Sequence, residues 1–223
     1  MSFYGYAMGA GARTKSDAPT PRRQYRSRLR DQQTADTRAA LMSSAGELFA
    51  SKGWAATGMR EVAAAAGVAT ETVYAHFSSK RGLLRALVDV AVVGDDRPVA
   101  LAERPEFAAI GRGDRADRTR AAAHVLAAVH ERTAPWAKLL REAAFHDDEI
   151  AELLRATRER QRLDIAAGAE LIMGRPPTPI ERDAVWAIAS PEVYLLLVEE
   201  SGWTLDQYEA WAAEAFDRFV PRS

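Results

Sequence analysis

The stretch GVATETVYAHFSSK, Gly67 to Lys80, decides the fold. On a helical wheel centred on Val73, Ala69 and Phe77 fall within half a right angle of it and form the inward stripe. Glu71 and Ala75 point directly away, flanked by Thr72 and Tyr74. That outer face is small, rigid and rich in hydrogen-bonding atoms. It lacks the alternating Lys and Glu of a helix side that only needs to be soluble, so it is shaped to meet a partner.

The preceding residues say which partner. Residues 34–53 read as a helix, with Leu41, Met42, Ala45, Leu48 and Phe49 on one stripe and Gly53 at its C-terminal stop. Residues 58–66 read as a second, short helix with Met59, Val62, Ala63 and Ala66 inward, ended by Gly67. A helix, a tight glycine-containing turn and a second helix make a helix-turn-helix, whose second helix enters the DNA major groove. On this reading Thr70, Glu71, Thr72 and Ala75 face bases: a carboxylate accepts from cytosine, hydroxyls serve either role, and a methyl meets thymine. Tyr74, His76 and Lys80 are better placed for phosphates, which position rather than specify, and Arg60 on the second helix is a further DNA-binding candidate. His76 has a second reading as an internally packed side chain.

The run from Thr37 to Val88 resembles the DNA-binding domain of the tetracycline-repressor family. The landmarks are Leu48-Phe49, the Gly53-Trp54 corner, Val62-Ala63, Ala66-Gly67-Val68, Thr72-Val73-Tyr74, His76-Phe77 and Lys80. The resemblance implies an all-helical homodimer. It would bind double-stranded operator DNA through its N-terminal domain and a small-molecule effector through its C-terminal domain, with ligand releasing DNA. Two positions depart from the family pattern. Ala69 stands where Ser commonly caps the recognition helix, a loss of about 1 kcal/mol, and Gly58 stands where Thr commonly opens the second helix. Gly58 can still cap, with Glu61 reaching back.

Length and composition agree. The 223 residues, nearly half of them apolar, suffice for one small and one larger domain. The absence of Cys excludes Cys-ligated zinc fingers and disulfide staples and suits a reducing cytosol. No apolar run approaches the length of a membrane span, and the N-terminus lacks a signal core, so the expected location is cytoplasmic, with no membrane partner. Residues 1–90 hold 13 Lys and Arg against 7 Asp and Glu, while the remainder holds 17 against 24. A basic half beside an acidic half suits a nucleic-acid reader with a separate regulatory body.

The expected organisation is a disordered basic arm at 1–33, a DNA-binding domain at 34–80 and a helical ligand-binding and dimerisation domain at 81–223, opening with a connecting helix at 81–93. Arg22, Arg23, Arg26, Arg28 and Arg30 make the arm either a phosphate tracker or a solubilising tail. GDDRP, Gly94 to Pro98, breaks the pattern. Further helices are expected at 105–112, 115–133, 135–146, 148–173, 179–200 and 204–219, the last opened by a Thr204–Gln207 capping box.

Three features of the C-terminal body bear on function. Trp136 and Leu140 face one way and Phe145 the other, as in the wall of a pocket. Thr157, Gln161 and Asp164 interrupt the apolar stripe of 148–173, and such groups need partners, whether a ligand or water. The helix 179–200 is apolar nearly all round, so a second subunit is the expected cover. Ile188, Val193, Leu196, Leu197, Tyr208 and Phe216 are the candidate interface, unless these helices close the domain's own core. Glu142 and His146, beside Asp147 and Asp148, have a metal-compatible spacing, with His124 and His130 elsewhere. A lone pair falls short of the four ligands a structural site needs, so solvated charge is the expectation. No catalytic arrangement, metal or cofactor is expected. Competing classes are a ligand-blind DNA-binding protein and a helical metal-dependent enzyme or carrier.

Overall fold

The computed structural model describes residues 21–220 apart from Asp96 and Pro98, and only the backbone of residues 21–28. Residues 1–20 of the arm, the side chains of Arg22, Arg23, Arg26 and Arg28, and two residues of the Gly94–Pro98 break thus lie outside the described residues. The described residues contain helices and no strand. The chain divides into two compact units, residues 1–39 and 40–223.

In the first unit the chain is already helical at Pro21, in helix α1, Pro21–Ala56. The expected start near residue 34 is therefore too late, and residues 21–33 are helix rather than an unstructured arm. Proline suits a first helical turn, and the following Arg and Gln residues are good helix formers. Side chains add local support: Gln32 donates to Asp36 at 2.9 Å, and Thr37 donates back to the Gln33 carbonyl at 2.8 Å.

In the second unit Gly53 breaks α1 with φ 75°, ψ 179°, a backbone that L side chains rarely adopt. Thr57 closes the corner, its hydroxyl donating to the carbonyls of Leu48 at 3.1 Å and Gly53 at 2.9 Å. Trp54 folds back onto Phe49, ring centroids 5.7 Å apart. Helices α2 (Met59–Ala65), α3 (Thr70–Phe77) and α4 (Lys80–Val93) follow. Ser79 caps α4 by accepting from the Gly82 N–H at 3.0 Å. Gly82 has to be glycine, since a Cβ there would overlap the Phe77 carbonyl.

A short 3-10 turn (Leu101–Glu103), α5 (Pro105–Ala108) and a second 3-10 turn (Ala109–Gly111) lead to two long helices, α6 (Arg115–Ala143) and α7 (Asp148–Met173). The expected helix start at Pro135 does not occur: α6 runs through it. One missing N–H leaves only the Glu131 carbonyl without its helical partner. The expected helix 179–200 is broken instead. Helix α8 is Pro179–Ile188, α9 is Pro191–Tyr194, and a π-helix covers Leu195–Glu200. Pro191 pushes Ser190 out of helical geometry, to φ −79°, ψ 147°. Helix α10, Leu205–Phe219, opens with the expected Thr204–Gln207 capping box.

Two main cores result. One joins Leu41, Phe49, Val62, Val73, Phe77, Leu83 and Leu84 to Leu139, Leu140, Ile150 and Leu153. The DNA-binding helices are thus packed on the end of α6 and the start of α7. Each fully buried large side chain here contributes about 1.5–3 kcal/mol. The second core gathers Phe107, Ile110, Ile172, Met173, Val185, Ala212, Phe216 and Val220. Small residues of α6, Ala122, Ala123 and Ala127, are buried where α10 packs along it. Among the described residues no helix is long and apolar enough to cross a membrane.

Candidate nucleic-acid interface and ligand cavity

Helix α3 is held by Val73 and Phe77, which are buried in the first core. Its other side faces out: Glu71, Tyr74 and Ala75 are exposed, and Thr70, Thr72 and His76 are half-buried. Arg60 on α2 is exposed as well. Ala69, expected on the inward stripe, is exposed instead. It is the N-cap residue, ahead of the first full turn, and makes no side-chain capping bond. Gly58 is likewise an N-cap without a side-chain bond, and the Glu61 carboxylate pairs with Lys52.

Lys80, read as a phosphate contact, is half-buried and has partners within the chain. Its ammonium donates to the Trp54 carbonyl and lies 4.1 Å from the centroid of the Trp54 ring. Burial pushes its pKa below the ordinary lysine value, with Asp147 opposing. A lysine engaged in this way ties the Gly53 corner to the start of α4. The Trp54 indole Nε1 in turn donates to Asp147 Oδ2 at 2.8 Å. Asp147 is the N-cap of α7, its other oxygen accepting from Glu149 and Ile150 at 3.0 and 3.2 Å. None of this was legible in the sequence, where Asp147 read only as part of an acidic cluster.

Farther along α7 lies a cavity of about 400 Å³, between α4, α6 and α7 and roofed by Leu101, Phe107 and Ile110. Its walls are mostly aliphatic. Thr157, Gln161 and Asp164 line it, as the interrupted stripe suggested, one above the other on the inner face of α7. The other three pocket candidates do not. Trp136 and Leu140 pack into the first core, against the DNA-binding helices, and Phe145 at the end of α6 is 81% exposed.

Polar groups that the sequence reading missed join the cavity wall: Asp89 of α4, His130 of α6 and Arg160 of α7. Asp89 pairs with Arg160 at 3.1 Å and with Arg85 at 3.6 Å. His130 is buried with Nδ1 2.9 Å from the Tyr208 hydroxyl, and desolvation pushes its pKa down to about 4, Glu192 opposing. Burial raises the Asp164 pKa, with Arg160 opposing. Thr157 is 7% exposed and its hydroxyl has no partner. The loop over the cavity mouth is clasped by Arg104, which grips Asp95 with both terminal nitrogens at 2.7 and 2.8 Å.

Of the interface candidates, Tyr208 and Phe216 are buried within the chain's own cores, at 0% and 4% exposure. An amphipathic stripe marks a covered face without naming its cover, and here the cover is α6 with α9 over Tyr208 and α8 near Phe216. Leu196 is 52% exposed, and Ile188, Val193 and Leu197 are half-buried. The helix read as apolar all round carries an 84%-exposed Ile180 at its start. Glu142 and His146 are exposed. Among the described residues no three His, Asp or Glu side chains converge as metal ligands would.

An exposed recognition helix locked onto a helix-turn-helix core defines a DNA-binding regulator, carried here by an all-helical body. Residues 41–87 match the family described as bacterial regulatory proteins, tetR family. Solved structures share the fold over most of the chain. One described as a TetR-family transcriptional regulator from Rhodococcus sp. is 18% identical, with 84% of this chain and 100% of that one aligned at a TM-score of 0.59. A TetR-family member from Streptomyces coelicolor A3 is 18% identical over 83% and 98% of the two chains, at 0.56. The multidrug binding protein EbrR, solved with imidazole, is 20% identical over 84% and 92%, at 0.55. The likeness to the tetR family of bacterial regulatory proteins thus lies in the DNA-binding segment, residues 41–87, and the shared fold extends over most of the chain.

Proposed function

We propose that the protein is a homodimeric cytoplasmic repressor that a small molecule releases from a pseudo-palindromic operator. The observation that carries this reading is the path along α7. The helix lines a ligand-sized cavity through Thr157, Gln161 and Asp164, and its N-cap Asp147 is bonded to Trp54 of the DNA-binding domain. A ligand that shifts α7 therefore moves the corner beneath the recognition helix. The Asp89–Arg160 pair supplies a second route, since Asp89 sits on α4, which follows the recognition helix directly. Such coupling requires the ligand to differ in affinity between the DNA-bound and released forms. EbrR, of similar fold, is described as multidrug binding, which agrees with a cavity whose wall is mostly apolar.

Glu71, Thr72, Thr70 and Ala75 read bases, while Arg60, Tyr74 and His76 serve phosphates. Two recognition helices of a two-fold dimer meet half-sites about one DNA turn, or a small multiple of it, apart. Leu196, Leu197, Val193 and Ile188 supply the dimer contact. The test is operator binding measured with increasing concentrations of compounds that raise the protein's melting temperature. Release at the concentrations that stabilise the protein supports the reading, and stabilisation with undisturbed DNA binding leaves a ligand-blind regulator.

A further inference from the structure

We propose that the cavity takes an apolar amine, whose ammonium group is received by the Asp164 carboxylate and the Thr157 hydroxyl. The inference rests on the cavity being the effector site and adds the chemical class of the effector.

The cavity's charges argue for a cation. Its wall holds two carboxylates, Asp89 and Asp164, against one guanidinium, Arg160. Arg160 already pairs with Asp89 at 3.1 Å. Among the described residues no hydrogen bond or close ion pair holds Asp164. His130 adds no positive charge near neutral pH, because burial keeps its imidazole neutral. An anionic ligand would thus meet an unmatched carboxylate in a half-buried site, whereas an ammonium completes the balance.

The hydrogen-bonding inventory argues the same way. Thr157 is more than nine-tenths buried, lines the cavity, and has a hydroxyl oxygen with no partner. A serine or threonine on a helix commonly donates back to the carbonyl one turn earlier, as Thr133 does to Val129 at 2.8 Å. Thr157 does not, so its hydroxyl is free both to donate and to accept. Positions 157, 161 and 164 share one helix face. An ammonium offers three donors, enough for Asp164, Thr157 and the Gln161 carbonyl oxygen together. Apart from Asp89, His130 and Arg160, the remainder of the wall, including Val88, Val92, Phe107, Ile110, Leu126 and Ile172, is mostly apolar, and about 400 Å³ fits a molecule of modest size.

The raised pKa of Asp164 fits this assignment, because burial disfavours its charge and Arg160 offsets that only in part. Amine binding should favour the ionised form and so weaken as the pH falls through the range in which the free protein protonates Asp164.

The experiment is calorimetric titration of the full chain with decylamine, decanol and decanoate, which share one apolar body. The expected result is that decylamine binds at least about tenfold tighter than the other two, the equivalent of one charge-assisted hydrogen bond. Asp164→Asn, close in shape, should erase that preference, while Thr157→Val weakens decylamine in a protein that melts no lower than wild type. Equal binding of amine and alcohol, tightest binding of decanoate, binding by none of the three, or an undiminished amine preference in Asp164→Asn overturns the proposal. Operator release by decylamine is recorded separately. Tight, Asp164-dependent binding with no effect on DNA removes the ligand-release reading and leaves the amine assignment standing.

Discussion

The indole nitrogen of Trp54 donates to the carboxylate of Asp147 at 2.8 Å, across 93 positions of sequence. One residue turns the corner before the DNA-binding pair of helices, and the other starts the helix that lines the cavity. Replacing Trp54 by Phe keeps the ring on Phe49 and removes the donor. The variant should fold, lose about 1 kcal/mol of stability, bind operator, and respond less to ligand. The ratio of operator affinities with and without ligand is the quantity to measure. An unchanged ratio would exclude this route and leave α4 as the carrier.

Lys80 and Arg60 should behave differently although both are cations near the recognition helix. Arg60 is exposed, so Arg60→Ala should weaken all DNA sequences alike and flatten the salt dependence by about one unit. Lys80→Ala should lower the melting temperature and leave that slope unchanged, because its ammonium is held by Trp54. A reduced slope for Lys80→Ala would return that lysine to the phosphate contacts.

His130 should make the fold sensitive to acid. Its imidazole titrates at about 4 when folded, against 6.5 for the free side chain. Between those values the unfolded chain binds a proton that the folded chain refuses. Stability from this source is therefore complete above pH 6.5 and lost as the pH falls towards 4, by up to about 3 kcal/mol. His130→Gln removes the titration while offering Tyr208 a polar partner. Thermal melts should show a smaller loss between about pH 7 and pH 4.5 for the variant than for wild type. Equal losses would assign acid sensitivity to the carboxylate pairs instead, such as Arg175–Glu181 at 2.8 Å.

The dimer contact should depend on Leu196. Its side chain is 52% exposed in the single chain, so Leu196→Glu leaves the chain's own core intact. If a second copy covers it, the substitution buries an unpaired charge and raises the dimer dissociation constant by about a hundredfold or more. Sedimentation at micromolar concentration reads the result, and wild-type protein that sediments as a monomer would remove the interface altogether.

What was legible in the sequence was what is local. The helix-turn-helix is set by the spacing of Phe49, Gly53, Val62, Gly67, Val73 and Phe77 within one short run, and each turn is fixed by a glycine or a cap. Thr157, Gln161 and Asp164 were legible for a similar reason, since polar groups interrupting a stripe on one helix must find partners. The misreadings concern partners distant in sequence. A helical wheel shows that Trp136 and Leu140 are inward, not that the inward neighbour is the DNA-binding domain. The stripe of Tyr208 and Phe216 looks the same whether α6 or a second subunit covers it. Nothing local to Lys80 reveals its bond to the Trp54 carbonyl. Pro135 was read as a helix start and the expected helix 179–200 ran through Pro191, whereas α6 continues through the first proline and the chain leaves helical geometry before the second.

The central claim is that the outer face of α3 reads DNA sequence. Footprinting of the purified protein on DNA from its own genome, compared with a Glu71→Ala, Thr72→Ala variant, tests it most directly. Wild type should protect a small set of pseudo-palindromic sites. The variant should keep comparable non-specific affinity but lose about 1–3 kcal/mol of preference at one position in each half-site. Protection of the same sites with the same preference by both proteins would contradict the account.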